Sequence, residues 1–359
     1  FGPEEMTRLK EIVLGGLAQP KAGGSYVRVP DMRETYLSAV TKGKKLSRPI
    51  RVVAACGNGT AGAFAPEALR RIGAEVICMD TDLDYTFPKY NPNPEDMQML
   101  HAMGDAVRTH KADLCLGFDG DGDRCGVVDN NGHEIFADKI GVLLARDLSA
   151  RNPGAKFVVD VKSTGVYEID PVLKLNGAVT DYWKTGHSYI KRRTHELGAV
   201  AGFEKSGHFF FNPPIGLGYD DGIVAAIAIL EMLDRAGSKS LSQLYEGLPK
   251  SWGSPTMSPF CPDDKKYDVV AALTKDFTAL QASGGTLLGR KIARIVTVNG
   301  VRVTLEDGTW GLVRASSNKP SLVVVVESPT SETDMRAMFA DIETRLAKHP
   351  EVGEYDQKI

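Results

Sequence analysis

ADLCLGFDGDGDRCGVV, residues 112–128, opens on an apolar run, Leu114-Cys115-Leu116, that ends at Gly117 and is followed by Asp119, Asp121 and Asp123. Gly120 and Gly122 separate the aspartates, and Arg124 follows them. The apolar run predicts a buried strand, and the glycines let the loop after it curl so that three carboxylates converge. Carboxylates that close repel one another unless a cation sits among them, and an oxygen-only set suits a hard ion such as Mg2+. A solvated turn is the commoner fate of an Asp/Gly cluster, but the strand before this one favours the metal reading. A calcium-binding EF-hand loop would need Gly at Arg124 and Glu at Asn130, so it fails at two positions. An arginine beside a metal suits phosphate, whose oxygens a guanidinium meets with two donors.

Outward from this loop, strand and helix patterns alternate. Upstream they predict helices over 3–17, 32–40, 63–72 and 95–110 and strands over 50–56 and 74–79, with a proline-rich loop at 87–94. Downstream, 125–129 and 133–136 read as a hairpin on the Asn131-Gly132 signal. A second unit follows, with strands over 156–161, 178–181, 199–203 and 208–211. Its helices are expected over 164–174, 188–197 and 219–236. After Trp252 the pattern becomes strand hairpins at 292–298, 301–305, 309–313 and 322–327, with flanking helices over 266–281 and 331–348. The expected architecture is α/β: consecutive mixed or parallel-sheet α/β domains followed by a C-terminal α+β domain, arranged around a central cleft. Boundaries are expected at 1–30 (a helix and linker left from an absent N-terminal domain), 31–148 (metal-binding), 149–252 (sugar-binding) and 253–359 (phosphate-binding).

Composition narrows the function classes. The chain has 359 residues, 42% hydrophobic and 25% charged, with a formal net charge of −3. That balance gives no electrostatic case for nucleic acid or an anionic membrane, and no apolar run approaches the length of a membrane span. The five cysteines, Cys56, Cys78, Cys115, Cys125 and Cys261, are scattered and odd in number. They read as reduced thiols of a cytoplasmic protein, with no signal-peptide pattern ahead of them.

Four loops carry candidate chemistry, each at the end of a strand, where open α/β sheets place their sites. The first is the aspartate loop. The second, Asp160-Val161-Lys162-Ser163-Thr164, offers a lysine, by itself more often a surface charge. The third, Gly202 to His208 (GFEKSGH), sets Glu204, Ser206 and His208 on a glycine-flanked turn, the mixture of donors and acceptors that a polyhydroxylated ligand needs. The fourth, Arg314 to Pro320 (RASSNKP), places hydroxyls and backbone N–H groups after an arginine, a plausible phosphate cradle.

Taken in this order, 117–124 (GFDGDGDR), 160–162, 184–187 (KTGH), 204–208 (EKSGH), 220–222 (DDG) and 314–320 (RASSNKP) resemble the α-D-phosphohexomutases, in particular the bacterial phosphomannomutase/phosphoglucomutase branch. The resemblance spans essentially the whole chain. It implies four domains around a cleft and phosphate transfer between O1 and O6 of a hexose, mannose or glucose, through a bisphosphorylated sugar. By the same resemblance Asp119, Asp121 and Asp123 bind Mg2+, Arg124 and Lys162 meet the reacting phosphate, and Lys162 and His187 are proton-transfer candidates. Glu204 and Ser206, with His208 beside them, would hold the sugar hydroxyls. Arg314, Ser316, Ser317 and Asn318 would grip the phosphate that is not reacting.

Two departures accompany the resemblance. The family's phosphoserine lies in a Thr-Ala-Ser-His-Asn-Pro motif, and no Ser-His-Asn occurs in these residues. A chain without its phosphoserine domain is expected not to turn over, and a catalytically silent sugar-phosphate-binding protein is the alternative reading. Lys205 stands where the branch more often has methionine, which leaves mannose against glucose open. A phosphatase with an Asp nucleophile would need its Asp pair and a Thr or Val at the end of the first strand, a pattern the aspartate loop lacks.

Overall fold

A computed structural model describes residues 2–16, 18, 19, 21–317 and 319–359. The chain begins with α1 (Pro3–Leu14), where Pro3 and two glutamates in the first turn favour a helix start. It stops before the expected 17, at Gly15, and Leu17 lies outside the described residues. Met6, Leu9, Ile12 and Val13 share its apolar stripe and are all exposed. In α2 (Met32–Thr41), Leu37 and Val40 reach the core.

The first sheet is built from β1 (Arg51–Ala55), a 3-10 turn (Thr60–Ala63), α3 (Ala65–Arg71), β2 (Glu75–Met79), α4 (Met97–His110), β3 (Leu114–Phe118), β4 (Cys125–Val128) and β5 (Glu134–Ile135). Strand order is β2-β1-β3-β4-β5. The first three strands are parallel and the last two antiparallel, so the sheet is mixed. The expected hairpin forms as β4 and β5. The strand does not end at Gly117 but runs on to Phe118. A Cβ at Gly117 would lie 2.5 Å from Met103 Sδ of α4, so a larger residue there would have to displace that side chain.

The second sheet follows α5 (Ala137–Arg151), a helix that the sequence pattern did not reveal. It then takes β6 (Lys156–Asp160), α6 (Val166–Ile169), α7 (Pro171–Leu175), β7 (Val179–Trp183), α8 (His187–Glu196), β8 (Ala201–Phe203), β9 (Phe209–Phe211), α9 (Gly222–Arg235) and α10 (Leu241–Glu246). The order is β7-β6-β8-β9, parallel around β6 with β9 antiparallel. The single helix expected over 164–174 is broken into α6 and α7. Pro171 cannot donate to a continuing helix, and Asp170 caps α7 by accepting from the N–H groups of Val172 and Leu173. Similarly α9 starts at Gly222 rather than 219, because the Asp221 carboxylate caps it. An expected boundary at 148/149 falls inside α5, which packs on α7, α9 and β8 as well as β4.

The C-terminal unit holds β10 (Trp252–Gly253), α11 (Lys266–Ala282), β11 (Thr286–Leu287), β12 (Arg290–Val296), β13 (Val301–Leu305), β14 (Trp310–Ala315), β15 (Leu322–Ser328) and α12 (Glu332–Leu346). Its antiparallel order is β10-β15-β14-β13-β12-β11. Gly300 and Gly308 take φ of +89° and +86° in the Asn-Gly and Asp-Gly turns, where a side chain would be strained. One apolar core runs through both α/β units and reaches Trp310, Leu312, Val323 and Val325 on one face of this sheet. The other face packs on α11 and α12. No helix among the described residues is long and apolar enough to cross a membrane.

Candidate active site

The aspartate loop is held from below and from both sides. Gly122 adopts φ +82°, so only one of the two glycines supplies left-handed backbone. Thr60, in the 3-10 turn after β1, donates its N–H (3.0 Å) and its hydroxyl (3.1 Å) to the Gly120 carbonyl. Asp119 is 2% exposed; its Oδ1 accepts from the N–H groups of Gly122 and Arg124, and its Oδ2 from Arg124 Nε at 2.5 Å. Burial pushes the Asp119 carboxyl above its ordinary range, against the pull of Arg124. One carboxylate oxygen from each of Asp119, Asp121 and Asp123 lies within 4.8 Å of the others, so the three can hold a metal ion. Asp119 is buried, Asp123 half-buried and Asp121 exposed, and an acidic, oxygen-only set that opens to solvent in this way fits a hard divalent cation, which would add to the charge that Arg124 gives Asp119.

The Glu-Ser-His turn lies directly beside that loop. Cys125 N–H donates to Gly207 O (3.0 Å), and Arg124 and His208 form an isolated antiparallel bridge. His208 Nε2 is 3.4 Å from Asp123 Oδ1, and its Nδ1 is 3.2 Å from Glu204 Oε2 and 3.0 Å from Ser206 Oγ. Burial by itself would lower the His208 pKa, but hydrogen bonds to Asp123 and Glu204 outweigh it and lift the ring to about 9. The same bond from His208 is the main reason Asp123 is held below its ordinary range. Glu204, 1% exposed, also accepts from Gly186 N–H (2.6 Å), which draws the KTGH loop to the sugar loop. His187 stacks on His208 with ring centroids 5.9 Å apart, and its Nδ1 is 3.2 Å from Asp220 Oδ2. Gly222 completes the enclosure: its N–H donates to Gly122 O, and a Cβ there would lie 2.5 Å from Arg124 O.

Lys162 sits after β6 with its Nζ 3.9 Å from Asp160 Oδ2. Asp160 is fully buried and also accepts from Ser163 Oγ at 2.6 Å. Arg314, at the end of β14, is 8% exposed. Its Nη1 donates to Ala315 O (3.0 Å) and Asn299 Oδ1 (3.4 Å), while its buried Nε has no partner. Burial depresses its guanidinium, opposed by the charges of Asp160 and Glu204. Ser316 is buried and Ser317 exposed; Asn318 lies outside the described residues. Asn299 accepts from Thr185 N–H as well (3.4 Å), joining the arginine loop to the KTGH loop. The aspartate, Glu-Ser-His and KTGH loops thus meet at hydrogen-bond distance; Asp160 of the lysine loop joins them through Thr185 Oγ1 (3.4 Å), and the arginine loop through Asn299.

Several participants were not singled out from sequence. Thr60 sits in a glycine-rich strand-end loop, the position where open sheets place sites. Asn299 carries only the signal of an Asn-Gly turn. Asn93 accepts from Arg124 Nη1 at 3.1 Å, and Lys191 pairs with Asp220 at 3.1 Å; neither carried a sequence signal beyond its residue type.

A carboxylate loop, a lysine loop, a Glu-Ser-His turn and an arginine loop on three successive units define the phosphohexomutase class of fold. Sequence models of the phosphoglucomutase/phosphomannomutase family match the chain in three consecutive pieces: alpha/beta/alpha domain II over residues 34–132, domain III over 136–252 and the C-terminal domain over 261–344. The chain belongs to this family. It is 37% identical over 307 residues to a phosphomannomutase/phosphoglucomutase of Pseudomonas syringae, covering 86% of this chain and 62% of that protein. It is 34% identical over 343 residues to one of Pseudomonas putida, covering 96% and 69%. A crystal structure of a phosphoglucomutase/phosphomannomutase family protein from Burkholderia thailandensis superposes with a TM-score of 0.84 at 30% identity, covering 98% of this chain and 72% of that one. The chain therefore spans roughly two thirds of its relatives' length.

Proposed function

We propose that this chain carries the cation, sugar and distal-phosphate sites of a phosphohexomutase that interconverts hexose 1- and 6-phosphates, mannose or glucose, with a phosphoserine supplied from outside these residues. The observation that carries the proposal is the joining of the aspartate and Glu-Ser-His loops through His208, which touches Asp123 and Glu204 together. In this reading Asp119, Asp121 and Asp123 hold Mg2+, which would neutralise charge on a transferring phosphoryl group. Arg124 presents its guanidinium to that group. Lys162, beside the buried Asp160, moves a proton at the reacting hydroxyl, and His187, stacked on His208, is the second proton-transfer candidate. Glu204 and Ser206 bind sugar hydroxyls, and Arg314, Ser316, Ser317 and Asn318 hold the distal phosphate, where the unpartnered Nε of Arg314 supplies a donor. A cytoplasmic setting fits the free cysteines.

Calorimetry with Mg2+ and glucose 1,6-bisphosphate tests this. Wild-type chain is expected to bind both, and Asp121→Asn to lose at least about tenfold in Mg2+ affinity, since one charge and one ligand leave a three-carboxylate set. Equal Mg2+ affinity in variant and parent removes the aspartate loop from the site.

A further inference from the structure

Arg302 is the second residue of β13, and it is 1% exposed. Its guanidinium is stacked between the rings of Trp310 (3.7 Å to the centroid) and Tyr182 (4.1 Å). From that slot Nη1 donates to Val161 O at 2.8 Å and to Ser163 O at 2.7 Å, the two carbonyls that flank Lys162. Tyr182 adds a third anchor, donating its hydroxyl to Thr164 O at 2.7 Å. The Lys162 side chain is itself 11% exposed. A planar guanidinium held by two aromatic faces delivers its donors in a fixed direction, which an ammonium on a flexible stem does not do. Both carbonyls belong to the β6 unit, whereas Arg302 belongs to the C-terminal unit.

The same strand leads to the arginine loop. Two residues before Arg302, the Asn299-Gly300 turn packs on Arg314: Asn299 Oδ1 accepts from Arg314 Nη1, and a Cβ at Gly300 would lie 2.4 Å from Arg314 Cβ. In β14, Val313, next to Arg314, pairs with Val301, next to Arg302.

We propose that Arg302 is a positioning residue that fixes the main chain of Lys162 and ties it to the strands carrying Arg314. Lys162 then holds its place only while the C-terminal unit is seated, and a ligand gripped at Arg314 bears on the lysine across one pair of strands. This rests on the reading of Lys162 as the proton-transfer group.

The test is the rate at which Lys162 is acetylated by isotopically labelled acetic anhydride in the folded chain, read by peptide mass spectrometry. Arg302→Met, close in volume and unable to donate, is expected to speed labelling of Lys162 by about fivefold or more as the loop loses both carbonyl anchors. Lys266, with 5% of its side chain exposed in the same unit, is the control. It should label at the parental rate, which general loosening would not allow. Arg302→Lys should fall between parent and Arg302→Met, because an ammonium can still donate to the carbonyls but its flexible stem is not held flat between the two rings. If Arg302→Met does not fold, Arg302→Gln carries the same expectation. An unchanged Lys162 rate in a folded variant, or equal acceleration at Lys162 and Lys266, overturns the proposal. Glucose 1,6-bisphosphate calorimetry on the parent separates the two readings: failure to bind sinks the mutase reading and leaves the labelling result standing.

Discussion

Glu327→Gln should loosen the C-terminal unit from the rest of the molecule. The Glu327 carboxylate, buried at the end of β15, accepts five hydrogen bonds. Lys139 Nζ (2.8 Å), Thr164 Oγ1 (2.7 Å) and Ser251 Oγ (2.6 Å) reach Oε1, while Gly165 N (2.6 Å) and Trp310 Nε1 (2.8 Å) reach Oε2. A glutamine offers one acceptor oxygen, so its NH2 must face donors on one side. It also leaves the Lys139 ammonium, 14% exposed, without its counter-charge. An uncompensated buried charge costs about 3–5 kcal/mol, and each orphaned donor about 1–3 kcal/mol; overlap between them makes ~3–5 kcal/mol the expected total. Calorimetric melting should show the transition containing the C-terminal unit falling by roughly 5–15 °C. The double variant Lys139→Met/Glu327→Gln should recover part of the loss, because no charge is then stranded. Burial would raise the Glu327 carboxyl, but Lys139 and the other donors outweigh it and hold it well below its ordinary 4.5. A depressed folded value contributes stability above pH 4.5 that drains away as pH falls below it. The gap between parent and Glu327→Gln should therefore narrow between pH 5 and about 3. A variant within about 1 kcal/mol of parent at pH 7, or a double variant that simply adds the two losses, refutes the reasoning.

Three further outcomes are expected. Arg314→Ala should weaken glucose 1-phosphate binding by about tenfold or more, a guanidinium–phosphate pair being worth on the order of 1.5–3 kcal/mol; unchanged calorimetric affinity removes the arginine loop from the site. Gly222→Ala removes no ligand, yet its Cβ would meet the Arg124 and Gly122 carbonyls at 2.5 and 2.8 Å. It should weaken Mg2+ binding by displacing the aspartate loop, and parental Mg2+ affinity would show the contact to be idle. In the complete enzyme, kcat/KM for glucose and mannose 1-phosphates should agree within roughly a hundredfold, because Glu204 and Ser206 are proposed to read hydroxyls that both sugars share. A preference above about a thousandfold in steady-state kinetics means that something, Lys205 first, reads C2.

Sequence made the aspartate loop and the alternating units legible because chemistry and periodicity coincide there: an apolar strand, then acids spaced by glycine. It failed where burial is all-round. In α5 the buried residues include Ala137, Asp138, Ile140, Val142, Leu143, Leu144 and Leu148, and its polar face, Lys139, Arg146 and Asp147, is itself half-buried. Arg302 was hidden for the opposite reason. Val301-Arg302-Val303 resembles a half-exposed strand, but all of β13 is buried, its arginine face being covered by the Lys162 loop and Tyr182. Such cover comes from residues some 140 positions earlier (Arg302 and Val161 are 141 apart) and leaves no local trace. Among the loops, Glu204 and His208 stand four residues apart on one turn and lie 3.2 Å apart in the structure, whereas their partners Asp123 and Gly186 lie in other motifs that only folding brings near.

The bridge between Arg124 and His208 bears on how the polypeptide can be divided. The Cys125 N–H is closed by Gly207, and the Gly122 carbonyl by Gly222, both from the following unit. A gene fragment ending near residue 132 would leave the aspartate loop with bare main-chain groups and an opened apolar core, and should yield insoluble product. A break within 254–261, a stretch bonded along β15 (Met257 N–H to Val324 O, 3.0 Å), by contrast spares both sheets that form the loop pair. Split halves joined there have a structural basis for reassembly, through Arg302, Glu327 and the apolar residues around Trp310.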